Sequence, residues 1–540
     1  MLEKETKTNL TETTHEKRVK NSDFLINATD IVKVYGDKTV LNKLNIQIKA
    51  GERIGIIGAN GSGKSTLTEI IAGIRHATSG VIEKKEGIVI GFQFQESKYP
   101  PGITVMDMLT YYLETFNIEI NVGQLNELLN TYQLSAAKNK NIMFLSGGQQ
   151  QRLNILLSVI HKPDLVILDE VSTGLDIEVK EEIFDFLQKN IVEKNVAMIL
   201  VTHNMSEIEH FCTRIIYMHD GDIIEKRTVK EVVKEYGSVH NYTSQQFQKY
   251  KKPTIAAEKE ALSKKKGQQD PNKIVNAAKT RPSKQIPLLN LMFKYYLKGF
   301  FVPFFLIVYP ILILGIQGES IRHTGADVAG TITAVKQMIA GIAIVNIISV
   351  GIFIIPQTII EFKLSVLLKR IGATNIHPLF FVTAVIIIGV FASIISFLWT
   401  LLWGGIYFGG TYGWSVIALP TQIGASIPWI IIIFITTIGL GIMLASLFKT
   451  ITSFIAVANV LYLPVAYLSG SIMPIDWITS SKVLNIISYF SPFKYSTLPY
   501  FECWNGTFKM TWEMYLYGGI SLIILAIFMG IAARKLKWQD

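Results

Sequence analysis

From residue 371 to residue 448 the sequence contains no Asp, Glu, Lys or Arg, and it is equally free of charge over 299–318, 337–360, 450–475 and 514–533. A bilayer core about 30 Å thick is crossed by roughly 20 uncharged, mostly apolar helical residues, so each run is long enough to span and the longest holds two spans and a loop. Six spans follow, near 299–317, 337–358, 378–403, 426–447, 450–470 and 514–533. Only 17% of all residues are charged, against about 25% in an average soluble domain, which excludes a wholly soluble protein. With 49% apolar residues the chain is not disordered as a whole either. Two cysteines, Cys212 and Cys503, exclude a disulfide- or zinc-stapled fold. Cys503, in the last outer loop, reads as a free thiol in preference to a bridge between subunits.

The excess of Lys and Arg near the spans sets their orientation. With the N-terminal part inside, the inner ends carry nine bases (Lys294, Lys298, Lys363, Lys369, Arg370, Lys449, Arg534, Lys535 and Lys537) and the outer loops five (Arg322, Lys336, Lys482, Lys494 and Lys509). Both termini are then expected in the cytoplasm. The formal net charge of +10 is concentrated in one segment: 245–298 holds 13 Lys or Arg against three acids, and the remainder is balanced. Residues 238–290, with KKK at 264–266, read as a basic linker lying against anionic headgroups. A solvated tether is the next reading. No recognition motif accompanies the charge, so no nucleic-acid partner is expected.

Upstream, residues 1–22 lack the apolar core of a signal peptide and read as a disordered tail. Residues 23–237 alternate short β-branched runs, such as IGIIG at 54–58 and LVILDE at 165–170, with longer mixed segments, the pattern of a parallel α/β sheet. GANGSGKST at 58–66 fits GxxxxGK[ST] between an apolar strand and the helix-like LTEIIAG. Backbone N–H groups must point inward around a triphosphate, so Gly58, Gly61 and Gly63 form the loop with Asn60 and Ser62, and the helix N-terminus adds a favourable dipole. Lys64 is expected on the β and γ phosphates, Ser65 on Mg²⁺, and Thr66 beside it. In LVILDE, Asp169 is expected to hold Mg²⁺ through water and Glu170 to orient or deprotonate the attacking water.

LSGGQ at 145–149, following these motifs in this order, identifies the resemblance: residues 24–237 look like the cassette of an ATP-binding cassette (ABC) transporter. The resemblance implies that Tyr35 stacks on adenine and that Gln95 senses the γ-phosphate, contacts the metal and meets the membrane domain. It also implies that His203 contacts the γ-phosphate and that Asp176 lies at a dimer interface. Ser146, Gly147, Gly148 and Gln149 would bind the ATP held by a second cassette, so one cassette cannot close a site. With every motif intact in this copy, a homodimer is expected in preference to a heterodimer.

Residues 291–540 resemble, more loosely, the six-span domain of ABC-2 exporters, and the whole chain resembles a half-transporter of that type. The segment 359–378, between spans two and three, resembles that class's short coupling segment, and 468–496 its partly re-entrant outer loop. Cassette-first order is similar to eukaryotic sterol and drug half-transporters, while the loop wording is closer to bacterial exporters. The expectation is therefore an α/β P-loop nucleotide-binding domain followed by an all-α six-helix transmembrane domain in the cell membrane. Its implied activity is ATP- and Mg²⁺-dependent export of lipophilic or amphipathic molecules or lipids. Export of a lipid-linked polymer or peptide, and cargo-free mechanical signalling, are the alternatives.

Overall fold

The computed structural model describes residues 24–94, 98–172, 175, 177–250, 276–277, 286–299, 301–322, 328–373, 378–414, 419–473 and 475–535. The tail 1–22, most of the basic linker, Gln95 and Asp176 lie outside them.

The N-terminal half is built on two sheets. Strands β1 (Phe24–Tyr35), β2 (Lys38–Lys49) and β4 (Ser79–Lys84) pair antiparallel, with a two-residue strand Asn276–Ala277 on the edge of β4. The second sheet has the order β5-β6-β7-β3-β8-β9, from β3 (Arg53–Gly58), β5 (Ile90–Gln93), β6 (Leu165–Asp169), β7 (Ala197–Val201), β8 (Arg214–His219) and β9 (Asp222–Thr228). All its neighbours are parallel except β8 and β9, which a tight turn joins. LVILD and AMILV are buried at every position, as central parallel strands covered on both faces must be. Helices α1 (Lys64–Ala72), α2 (Val105–Thr115), α3 (Val122–Thr131), α4 (Gly147–Val159), α5 (Ile177–Leu187), α6 (Met205–Phe211) and α7 (Val229–Tyr236) follow in order.

Composition assigned 238–290 to a linker, yet Val239–Lys249 forms a helix, α8, that buries Val239, Tyr242, Thr243 and Gln246. Tyr242 donates to Glu225 Oε2 at 2.7 Å, which ties α8 to β9. At the far end of the linker, α9 (Ile286–Lys298) buries Leu288, Leu291, Met292, Tyr295 and Tyr296. Lys298 Nζ reaches Asp107 Oδ2 in α2 at 2.5 Å.

Among the described residues, six helices are long and apolar enough to cross a membrane: Phe304–Ile321, Gly330–Leu364, Phe380–Tyr412, Ile423–Leu447, Ile451–Leu468 and Trp512–Lys535. The second is the centre of the bundle, with 94% of its most apolar 18-residue stretch buried, against 11% in the sixth. Glycine permits that centre: a Cβ on Gly351 would lie 2.4 Å from the Thr437 carbonyl oxygen, so helices two and four meet backbone to backbone. The first and second helices each contain a π-helical turn, Phe304–Val308 and Val350–Ile354, just before Pro310 and Pro356. Proline has no N–H for the carbonyl four residues back, and the ladder slips by one. Neighbours satisfy the carbonyls so released: Ser396 Oγ donates to Leu306 O and Trp399 Nε1 to Ile307 O, each at 3.1 Å.

Span boundaries differ from the uncharged runs, most of all in the second, which extends from 337–358 to Gly330–Leu364. Charged residues join the helix because tertiary partners hold them: Lys336 donates to Thr421 Oγ1 at 2.8 Å, and buried Glu361 accepts from the Tyr295 hydroxyl of α9. Beyond the fifth helix come the short helices Ile475–Ser480, Lys482–Ser488 and Lys494–Asn505. Cys503 is 0% exposed there, a free thiol with no surface from which to bridge subunits.

Candidate functional site

The loop between β3 and α1 is shaped by glycine. Gly58, Gly61 and Gly63 have φ of 151°, 79° and 98°. A Cβ on Gly58 would meet the Met218 carbonyl at 2.1 Å, so the loop lies directly against β8. Lys64 is buried, and its ammonium donates to the Gly58 and Ala59 carbonyls at 2.8 and 3.0 Å. Burial pulls its pKa below the ordinary lysine value, while Asp169 and Glu170 act to restore it. Ser62 Oγ is buried without a hydrogen-bond partner among the described residues, 3.0 Å from where a Cβ on Gly58 would stand. Asn60 and Ser65 are exposed at the mouth, where a phosphate chain can reach them.

Asp169 ends β6 and Glu170 follows it in the left-handed region, φ 54°. That turn brings the Glu170 carboxylate within 3.5 Å of His203 Nε2. His203 is held by its flanks: Asn204 N–H donates to Thr202 Oγ1 at 3.0 Å, and Asn204 caps α6 through Ser206 N–H. Asp169 hydrogen-bonds the Ser65 hydroxyl, and burial raises its carboxyl pKa to about 6. A hydroxyl and a buried carboxylate are the hard oxygen donors that Mg²⁺ takes, so Ser65 and Asp169 fit the ion and would hold it. Once bound, Mg²⁺ would neutralise phosphate charge. Gln95, expected as a third contact, lies outside the described residues.

Tyr35, at the end of β1, hydrogen-bonds Thr66 and Arg75 through its hydroxyl, so its ring stands beside the phosphate loop. The Arg75 guanidinium is 5.4 Å from the ring centroid. Ser146 caps α4, and with Gln149 it forms a reciprocal capping box. Ser146 and Gly147 are exposed, which leaves this helix end open to a second molecule. Thus one chain brings together the loop, Tyr35, Asp169, Glu170 and His203, while Ser146 and Gly147 are exposed at the start of another helix, with Gly148 and Gln149 half-buried behind them.

The site reaches the membrane half through Val366–Ala373, a short helix between the second and third spans, called here the docking helix. Val366 N–H donates to Lys98 O at 2.8 Å. Lys369 Nζ lies 3.3 Å from Glu69 Oε1 in α1, and Glu69 Oε2 accepts from Arg75 Nε at 2.7 Å. Sequence reasoning identified this segment but not its contacts, and it missed Gln93 altogether. Fully buried Gln93 accepts from Asp169 N–H at 2.9 Å and fixes the strand end that carries the carboxylates. A polar side chain closing an otherwise apolar strand was its one signal.

The ABC transporter family profile matches residues 41–173. An uncharacterized ABC transporter ATP-binding protein of Methanocaldococcus jannaschii is 31% identical over 212 residues, 39% of this chain and 80% of that protein. The Nod factor export ATP-binding protein I of Rhizobium etli is 30% identical over 39% of this chain and 73% of its own length. The aliphatic sulfonates import ATP-binding protein of Corynebacterium glutamicum is 33% identical over 36% and 81%. This chain belongs to the ABC transporter family. It is an ABC-type ATPase that binds ATP and carries six candidate membrane helices behind its cassette.

Proposed function

We propose that two copies of this chain form an ABC-2-type exporter that moves lipophilic or amphipathic small molecules or lipids across the cell membrane. The observation that carries this reading is the docking helix: a segment between two spans is seated on the cassette beside Phe94, the residue just before Gln95. Nucleotide-driven movement of the cassette is thereby delivered to the bundle. Lys64 and Ser65 hold Mg-ATP with Asp169, Glu170 activates the water, and Ser146 to Gln149 of the other copy complete the site. The exposed capping box supports completion by a second copy.

Relatives named for export and for import both match the cassette, so direction rests on the membrane half. Short outer helices after the fifth span and the excess of bases on the cassette side support an exporter with its cassette in the cytoplasm. Apolar side chains dominate the spans, which supports cargo drawn from the bilayer.

The test is ATP-dependent accumulation of a lipophilic dye panel in inside-out vesicles, comparing the parent chain with Glu170→Gln. Uptake by the parent and none by the variant is expected. Vigorous ATPase activity with no dye uptake would overturn lipophilic export and favour a polymer, peptide or signalling role.

A further inference from the structure

Two consecutive bases on the docking helix reach different parts of the cassette. Lys369 meets Glu69 in α1, the helix that begins at the phosphate loop. Arg370 meets Asn154 in α4, the helix that begins at the signature sequence. The two contacts are unequal. The Lys369 side chain is 41% exposed and its pair spans 3.3 Å, an arrangement that water and salt weaken. Arg370 is 0% exposed. Its Nη2 donates to Asn154 Oδ1 at 2.5 Å, and its guanidinium lies 5.3 and 5.8 Å from the Phe94 and Tyr99 ring centroids. Tyr99 also donates to Asn154 Oδ1, at 3.0 Å, so one amide oxygen gathers both groups. A guanidinium keeps its charge when buried, and this one is held by Nη2 on the neutral Asn154 amide and by two ring faces, while its Nε and Nη1 are without a hydrogen-bond partner among the described residues.

We propose that Arg370 is the positioning residue through which the membrane half aims the signature helix: it fixes α4 to the docking helix through Asn154, while Lys369 makes only a breakable contact to the phosphate-loop helix. When the two parts of the cassette turn relative to each other, the docking helix follows α4. The proposal rests on the reading that α4 presents its N-terminus to a partner's ATP. It does not depend on the cargo.

The test uses the full chain in lipid nanodiscs, with two readouts: affinity for a fluorescent ATP analogue, which reports the chain's own phosphate loop, and kcat for ATP. Arg370→Gln is expected to bind the analogue within twofold of the parent and to lose at least tenfold in kcat. Arg370→Lys should be similarly slow, and adding Asn154→Asp should recover kcat to within threefold by giving the lysine a carboxylate. Lys369→Met should change kcat by less than threefold. If Arg370→Gln does not fold, Asn154→Ala carries the same expectation. Equal losses in affinity and kcat, no recovery in the double variant, or a larger effect from Lys369→Met would each overturn the proposal. Because neither readout involves cargo, a failure of dye transport leaves this test intact.

Discussion

Two glycines of the phosphate loop differ in a way that predicts unequal effects of alanine. Gly61 (φ 79°) has no atom within 4 Å of where a Cβ would stand. Gly61→Ala therefore pays only for a left-handed backbone, about 1 kcal/mol. Gly63 (φ 98°) would place a Cβ 2.6 Å from Leu41 Cδ2 and 2.9 Å from the Val40 carbonyl oxygen. The leucine tip can turn aside, but the carbonyl belongs to β2 and moves only with its sheet. Strain and displacement together cost about 3 kcal/mol. At about 1.4 kcal/mol per tenfold, Gly61→Ala should weaken ATP binding about fivefold and Gly63→Ala about 150-fold. Titrating the full chain in nanodiscs with a fluorescent ATP analogue measures both. Similar affinities for the two variants, or a Gly63→Ala chain that binds within twofold of the parent, would refute the reasoning.

Glu170→Gln should retain nucleotide binding and lose about 10²- to 10⁴-fold in kcat, the usual contribution of a general base, as read in a phosphate-release assay. His161 stacks on Phe116 with ring centroids 4.2 Å apart, and burial lowers its pKa from 6.5 to about 4. The unfolded chain therefore binds the proton first as pH falls, so stability present above pH 6.5 declines towards pH 4, by up to about 3 kcal/mol. Urea unfolding of the full chain in detergent at pH 7 and pH 5 should show this loss, and His161→Phe should flatten it. Gly351→Val places side-chain atoms against Thr437 and should lower the melting temperature by several degrees, whereas Gly410→Ala, with open space around it, should leave it unchanged.

The residues that the structure brings together at the phosphate loop are legible in the sequence because each belongs to a short local pattern. Gly58 through Thr66, Asp169 with Glu170, and Ser146 through Gln149 each act as short runs whose spacing survives without the fold. Arg370 and Asn154 are 216 residues apart, and nothing local marks either as a partner of the other. Gln93 is hidden for the same reason: its role appears only when β5 and β6 lie side by side. Helix ends failed in a related way. Lys336 and Glu361 broke the apolar runs, yet each sits in a helix because a residue distant in sequence, Thr421 or Tyr295, holds it. Helix α8 carries no clear sequence signal, because its buried face mixes Val239 and Tyr242 with Thr243 and Gln246, which blurs the apolar period.

In the proposed assembly, two copies of this chain complete each other's ATP sites. Co-expressing a Lys64→Ala chain with a Gly148→Asp chain tests it most directly, with ATPase activity measured on the purified mixture and on each parent variant. Each variant alone should be inactive, having a defect in both sites. Mixed dimers contain one site with an intact phosphate loop from one chain and an intact signature from the other. Random pairing should therefore restore about a quarter of the unmodified activity. A mixture as inactive as its parents would contradict completion in trans, as would a Gly148→Asp chain that hydrolyses ATP at the full rate alone.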